Sequence, residues 1–385
     1  MIFKRITVFR FFGFDVRADA SWIFLSVLIS WTLATKAFPS LAPGLSADAY
    51  QWMGIAALVL LIFSIIAHEV AHAVIAEYYD MPIVSITLFV FGGVAEMKGE
   101  PSHPKGEFFM AVAGPIMSAL LGLFFWATAD FYGRYFAQGP IEVVLRYMGD
   151  LNMLLALFNM VPAFPLDGGR ALRAVIWGIK NNLVLATRIA SEAGAVFAYG
   201  LMAWACYKIT QHDDLISGVW FSLLGLFVHA AGQYAVRQIE SRSLLAQESV
   251  MRFAHSQFTS VTPDMTVRDF VENFVSKHYQ KSFPVLDRGQ LIGVVLLQRV
   301  LQLDRHKWHW LHVASVMEEI RLNVNSVSVD GSAADALDLM QRLRKDSLMV
   351  VDGSTLRGII EYSDLITYLS ITMKIDNNKP VEKSR

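Results

Sequence analysis

The sequence predicts a multi-spanning α-helical membrane protein with about six transmembrane helices and a small membrane-associated β region, followed by a C-terminal soluble α/β part. Three observations carry this reading. Of 385 residues, 54% are hydrophobic and only 17% charged, with mean hydropathy +0.41; a soluble domain carries about 25% charged residues. The apolar residues are concentrated before about residue 240, in long uncharged runs. Beyond that point the chain alternates like a soluble α/β protein, and two of its stretches repeat one another. An ordinary soluble enzyme and a disordered or fibrous chain are excluded. The formal net charge of −1, from 33 basic and 34 acidic residues, argues against nucleic acid as a partner.

The elements follow in order. Ile6 to Arg17 reads as a strand, a Gly turn and a strand. That is too long and too structured for the start of a cleavable signal, so the first span is expected to persist. Ala20–Thr35, Gln51–Ala67, Phe108–Ala129 and Leu215–Val236 are uncharged, and each is near the roughly 20 residues that a helix needs to cross a bilayer. Two further spans carry charge. Ile141–Val161 holds Glu142, Arg146 and Asp150 on one helical face, and Leu183–Tyr207 holds Arg188 and Glu192; an i, i+4 spacing lets such groups pair. Lys and Arg set the orientation. Lys4, Arg5, Arg10, Arg17, Lys98, Lys105, Arg170, Arg173, Lys180, Arg237 and Arg242 fall on one side, against Lys36, Arg134 and Lys208 on the other. Both termini are expected in the cytosol.

The chain has one cysteine, Cys206, so a metal site must be built from His, Asp or Glu. The second span ends in His68-Glu69-Val-Ala-His72. On a helix this spacing puts both imidazoles on one face, one turn apart, where they can share an ion, with Glu69 in reach of an attacking water. Charged groups at membrane depth cost roughly 2.5–3.5 kcal/mol each, so they need a reason. The bland reading is a polar patch snorkelling to the interface. A catalytic zinc also needs a third protein ligand. The best supplier is Asn159-Met-Val-Pro162-Ala-Phe-Pro165-Leu-Asp167-Gly168-Gly169. Pro162 and Pro165 end the preceding helix. Asp167 is expected on non-helical backbone, which is tolerated at this depth only inside protein or beside water. Gly168 and Gly169 permit close backbone approach. The alternative is a plain loop in which Asp167 caps a helix.

Together, His68-Glu69-Val-Ala-His72 and the Asn159–Gly169 segment resemble the motifs of the site-2 protease family, the intramembrane zinc metalloproteases grouped as peptidase M50. The resemblance implies one zinc per chain on His68, His72 and Asp167, Glu69 as catalytic base, and Asn159 as a polar substrate or oxyanion contact. It implies a membrane-anchored protein substrate, cut within or near its transmembrane segment, and a plasma-membrane location. Ile86 to Glu96, with Gly92 and Gly93, resembles the family's membrane-associated strand region. That region would receive an unwound substrate as an added strand, or would merely pack over the bundle. Gly114-Pro115 matches the family's Gly-Pro element, with Ser118 where many relatives have Asn or Gly; the alternative is a helix kink with small-residue packing.

Val250–Leu303 and Val316–Leu369 share one pattern. Each opens Val-Met, then has an extended piece, an amphipathic helix (Val267–Ser276; Ala333–Arg344), two short strands and a closing helix. The pair resembles tandem CBS modules, which implies sheet-to-sheet packing, a regulatory or homodimerising role, and a cleft able to hold an adenine nucleotide. Asp364 fits the ribose-binding position. Glu361 stands where a phosphate-binding Thr or Ser is usual, and the first unit lacks both polar groups. The expected division is 1–240 membrane domain, 241–249 linker, 250–310 and 311–372 CBS modules, and 373–385 disordered tail. His306, His309 and His312 read as a surface linker helix rather than a second metal site. His229 reads as a polar packing residue and Cys206 as a small apolar one. The competing class is a non-proteolytic protein, either a CBS-gated transporter or a protease-like scaffold; a transporter would favour interrupted helices in both halves, and no such symmetry is visible.

Overall fold

The computed structural model describes residues 6–11, 14–18, 20–81, 83–89, 92–97, 101–136, 139–212, 214–277 and 280–377. The chain divides into two compact units, Met1–Arg237 and Gln238–Arg385.

The first unit opens with strands β1 (Ile6–Phe11) and β2 (Phe14–Ala18). Helix α1 (Ala20–Thr32) continues through a π turn, Leu33–Ala37, into α2 (Phe38–Leu41). Helix α3 (Ala47–Tyr78) starts where the Ser46 side chain accepts the Ala49 N–H, an N-cap that satisfies one of its free donors. Strands β3 (Ile83–Phe89) and β4 (Gly92–Met97) follow. Helices α4 (Pro104–Tyr135), α5 (Pro140–Asn159), α6 (Asp167–Lys180) and α7 (Leu183–His212) come next, then α8 (Leu215–Ala246), which runs past the unit boundary. All six expected spans are helical. Four of them, α3, α4, α7 and α8, are long and apolar enough to cross a membrane among the described residues. The helices outrun the uncharged sequence runs because polar residues at the ends still fit a helix. The sheet order is β1-β2-β3-β4, with β2 and β3 parallel and the other pairs antiparallel. Gly92 and Gly93 are the first residues of β4, paired with Phe89 and Leu88. Val90 and Phe91, between the strands, lie outside the described residues, as do Lys4, Arg5 and Lys98.

One polar face expected on α5 is split. Arg146 pairs with Glu142 at 3.0 Å and with Asp130 of α4 at 2.6 Å. Asp150 instead accepts the Trp126 indole N–H at 3.0 Å.

In the second unit the last turns of α8 are not a linker. Residues 241–246 remain helical, and Leu245 is fully buried with Val250, Leu337, Leu348 and Ile360. The first repeat contains α9 (Val267–Phe270), a π turn Val271–Val275, β5 (Ser282–Asp287), β6 (Gln290–Leu296) and α10 (Leu297–Leu301). Helix α11 (Val313–Val316) and strand β7 (Glu318–Glu319) lead into the second repeat. There β8 (Ser326–Ser328), α12 (Ala333–Leu343), β9 (Ser347–Asp352), β10 (Thr355–Glu361) and α13 (Tyr362–Asn377) follow. The β5–β6 hairpin turns at Arg288 (φ 48°) and Gly289 (φ 83°), the left-handed pair that matches strand twist. The opening segments are exchanged. Glu319, at the head of the second repeat, pairs with Gly293 of the first, while His255, at the head of the first, pairs with Ile359 of the second. Glycine makes room for both: a Cβ on Gly293 would lie 3.0 Å from Glu318 O, and one on Gly358 would lie 3.0 Å from His255 O.

Two sequence expectations need correction here. The tail expected from 373 is helical to Asn377; only 378–385 lie outside the described residues. His306, His309 and His312 are not on one helix, because a 3₁₀ turn, Arg305–Lys307, capped by Asp304, bends the chain.

Candidate metal centre

Helix α3 brings His68 and His72 onto one face, and both are buried, at 5% and 4% exposure. Their Nε2 atoms are 3.1 Å apart. Asp167 Oδ2 lies 3.2 Å from His68 Nε2 and 3.3 Å from His72 Nε2. The three donor atoms form a nearly equilateral triangle. Tetrahedral ligands at about 2.0–2.1 Å from a zinc ion stand about 3.3–3.4 Å from one another. The triangle therefore fits three protein ligands with a fourth position open, and two imidazole nitrogens with one carboxylate oxygen suit zinc. Among the described residues this is the one group of three His, Cys, Asp or Glu side chains that could hold an ion.

Each imidazole is held from behind. His72 Nδ1 donates to the Met110 carbonyl at 2.6 Å, and His68 Nδ1 lies 2.8 Å from Ser118 Oγ. Partners of this kind orient a metal-binding ring and set which nitrogen is free. Between them on α4 lies Gly114: a Cβ there would stand 2.6 Å from His68 Nε2 and nearer still to His72 Nε2. Met110, Gly114 and Ser118 recur every fourth residue, so one stripe of α4 faces the imidazoles. Below them, Asn152 of α5 donates to Ser64 Oγ at 3.0 Å and to Met148 O at 2.9 Å.

Asp167 is delivered by the segment after α5, and here one expectation changes. It is not on non-helical backbone but is the first residue of α6, preceded by Leu166 in an extended conformation. The approach is packed on backbone. Ala163 N–H donates to Val161 O at 2.7 Å, Leu166 N–H to Ala163 O at 2.9 Å, and Phe164 N–H to Ala190 O of α7 at 3.3 Å. A Cβ on Gly168 would lie 2.5 Å from Val161 O, and one on Gly169 2.5 Å from Phe164 Cα, so the glycine pair lets the helix start against its own approach loop. Arg173, a turn and a half later, donates to the buried Glu107 carboxylate of α4, and its guanidinium stands 5.1 Å from the Phe164 ring. This pair fixes α6 against α4 and the loop beneath.

The other sequence-singled residues fall as follows. Glu69 is buried at 8% exposure, adjacent in the chain to His68. Asn159 is half-buried at the end of α5 and is not one of the side chains in the triangle. Gly92 and Gly93 open β4 at the edge of its sheet. In the second unit, Asp364 Oδ2 lies 2.9 Å from His255 Nε2. His255, with Lys277, Lys281 and Glu361, lines a cavity of about 610 Å³. Sequence reasoning did not find the Met110 carbonyl, the Ser118 contact or the Glu107–Arg173 pair. The available signal for the first two was the small-residue spacing Gly114, Ser118, Gly122, which marks close helix approach.

A buried His-His-Asp triangle on α3 and α6, in a unit with helices long and apolar enough to cross a membrane, defines a membrane protein with a candidate metal centre. The profile of peptidase family M50 matches residues 56–136 and 129–201, and that of the CBS domain matches 250–306 and 313–371. Rip3 of Mycobacterium tuberculosis, whose name describes a zinc metalloprotease, is 30% identical over 367 residues, covering 94% of this chain and 92% of that protein. Zinc metalloprotease MJ0392 of Methanocaldococcus jannaschii is 26% identical over 314 residues, covering 81% of this chain and 84% of that one. The solved site-2 protease from the same organism is 25% identical and covers 60% of this chain and 94% of that chain, with a TM-score of 0.42. The chain belongs to peptidase family M50, as a site-2-type zinc metalloprotease that carries a pair of CBS domains.

Proposed function

We propose that this protein hydrolyses a peptide bond within or near the transmembrane segment of a membrane-anchored protein. The observation that carries the reading is the triangle of His68 Nε2, His72 Nε2 and Asp167 Oδ2, with sides of 3.1 to 3.3 Å. These three residues would hold a single zinc ion. When bound, zinc supplies a Lewis acid that polarises a carbonyl and acidifies water. Glu69 takes the proton of the attacking water and returns it to the leaving amine. Asn159 contacts the substrate carbonyl. No Ser or Cys nucleophile is required. The β4 edge, beginning at Gly92 and Gly93, offers backbone partners to a substrate helix as it unwinds. Lys and Arg placement supports cytosolic termini; a plasma-membrane location rests on the family resemblance alone.

The CBS pair serves regulation or homodimerisation, and an adenine nucleotide is the ligand to test at its 610 Å³ cavity. Lys277 and Lys281 would attract phosphate there, Glu361 would oppose it, and Asp364 would have to give up His255 to reach a ribose.

The testing experiment is the metal content of the detergent-purified protein beside Asp167→Ala and a His68→Ala/His72→Ala double variant. About one zinc per chain, lost in both variants, is expected from a three-ligand site. Wild-type protein that takes up no zinc when supplied with it would overturn the reading.

A further inference from the structure

Helix α3 presents a polar side chain on one face at every fourth residue: Ser64, His68 and His72. Each meets a partner from α4 or α5, apart from the contacts that both imidazoles make with Asp167. Asn152 Nδ2 donates to Ser64 Oγ at 3.0 Å, Ser118 Oγ is 2.8 Å from His68 Nδ1, and the Met110 carbonyl is 2.6 Å from His72 Nδ1. The two imidazole partners differ in kind. A carbonyl only accepts. The contact with Met110 therefore keeps the His72 proton on Nδ1 and leaves the Nε2 lone pair facing Asp167. A hydroxyl both donates and accepts. If Ser118 accepts from His68 Nδ1, the Nε2 lone pair faces the triangle. If Ser118 donates, the proton sits on Nε2, directed at Asp167 Oδ2 3.2 Å away, and that nitrogen is closed to an ion.

We propose that Ser118 is a positioning residue for His68, holding the ring in the plane and tautomer that make Nε2 a ligand. The inference rests on the reading of His68, His72 and Asp167 as a zinc site. Ser118 is fully buried and lies 50 residues beyond His68, on another helix. It belongs to neither ligand-bearing segment. The Gly114 close approach, one turn earlier on α4, presses the same stripe against the imidazoles, so the hydroxyl has little freedom to point elsewhere. The carbonyl at Met110 fixes His72 without help from any side chain; only at His68 is the outer partner encoded by a residue that substitution can remove.

Zinc affinity of the detergent-purified full chain, measured by competition with a chromophoric chelator, tests this directly. Ser118→Ala should weaken zinc about 10- to 100-fold, the usual loss on removing such an outer partner. Ser118→Thr, which keeps the hydroxyl, should stay near wild type. Ser64→Ala removes an equally buried hydroxyl one turn away and should also stay near wild type. With cobalt(II) in place of zinc, the visible ligand-field bands should shift in Ser118→Ala and not in Ser64→Ala. Thermal unfolding without metal checks that the two alanine variants are equally folded. Ser118→Ala binding zinc as tightly as wild type, or Ser64→Ala weakening it as much, overturns the proposal. Wild-type protein that binds no zinc overturns instead the metal reading beneath it.

Discussion

Gly114 and His68 approach so closely that a Cβ on Gly114 would stand 2.6 Å from His68 Nε2. Two effects of Gly114→Ala thus oppose each other. In a helix interior, alanine is favoured over glycine by about 0.8–1.0 kcal/mol. In this place its methyl group occupies the space in front of the imidazole nitrogens. The expected result is a fold destabilised by overpacking of about 1–3 kcal/mol, which exceeds the propensity gain, and a site that no longer takes zinc. Gly200→Ala, where a Cβ meets nothing within 4 Å, is the control. Zinc stoichiometry equal to wild type in Gly114→Ala would show that α4 can back away.

Glu69 and Asp167 should separate under mutation. Glu69→Gln removes a proton acceptor but no ligand, so it should retain zinc and lose activity by about 10²- to 10⁴-fold. Asp167→Ala should lose both together. The measurement is cleavage of a membrane-anchored reporter beside metal content; a Glu69→Gln protein that still cleaved at the wild-type rate would remove Glu69 from the role of base.

The Glu107–Arg173 pair holds the start of α6, and with it Asp167, against α4. Breaking a buried pair by removing one partner costs about 3–5 kcal/mol, whereas replacing both by apolar groups is often close to neutral. Arg173→Met should therefore lower the melting temperature more than Arg173→Met with Glu107→Leu. The reverse order would mean that the pair is not what fastens these helices.

Acid stability should depend in part on Glu318. Burial pushes its carboxyl up, but the Lys345 ammonium at 2.7 Å and the Arg299 guanidinium at 3.0 Å outweigh this and hold it below its usual range. Such a group stabilises the fold above its unfolded pKa, about 4.3, and the contribution disappears as pH falls through the lower folded value. Glu318→Gln should cost about 1–2 kcal/mol at neutral pH, since the half-buried pair is only partly screened. The gap from wild type should close below about pH 4. Unfolding curves of the full chain at several pH values measure this, and a constant gap down to pH 3 would contradict it.

Much of this molecule was legible in its sequence, for identifiable reasons. Uncharged runs near the thickness of a bilayer marked the spans, and the i, i+4 spacing of His68 and His72 required one shared face. The strands of the repeats were legible because short β-branched runs stood between polar turns. What stayed hidden depends on contacts between distant segments. The local sequence left Asp167 open between an extended loop and a helix cap, since Pro165 and two following glycines suit a loop while an Asp also suits a helix start; only the structure shows that α6 begins on it. The Ser118 contact depends on the rotation of α4 about its own axis. The last turns of α8 resembled a linker because residues 247–249 are polar, although Leu245 just before them is wholly buried.

The exchange of opening segments between the repeats has a consequence for how such a domain can be gained or lost. Glu319 completes the sheet that holds Gly293, and His255 caps the one that holds Ile359. A chain ending after Leu303 would carry a sheet with its outermost strand missing, and the orphaned second half would lack the residues that cover its far edge. Neither half is a unit that a truncation could spare. The two should appear, vanish and be transplanted as one indivisible cassette, and a gene fragment encoding a single repeat should yield only unfolded or self-pairing protein.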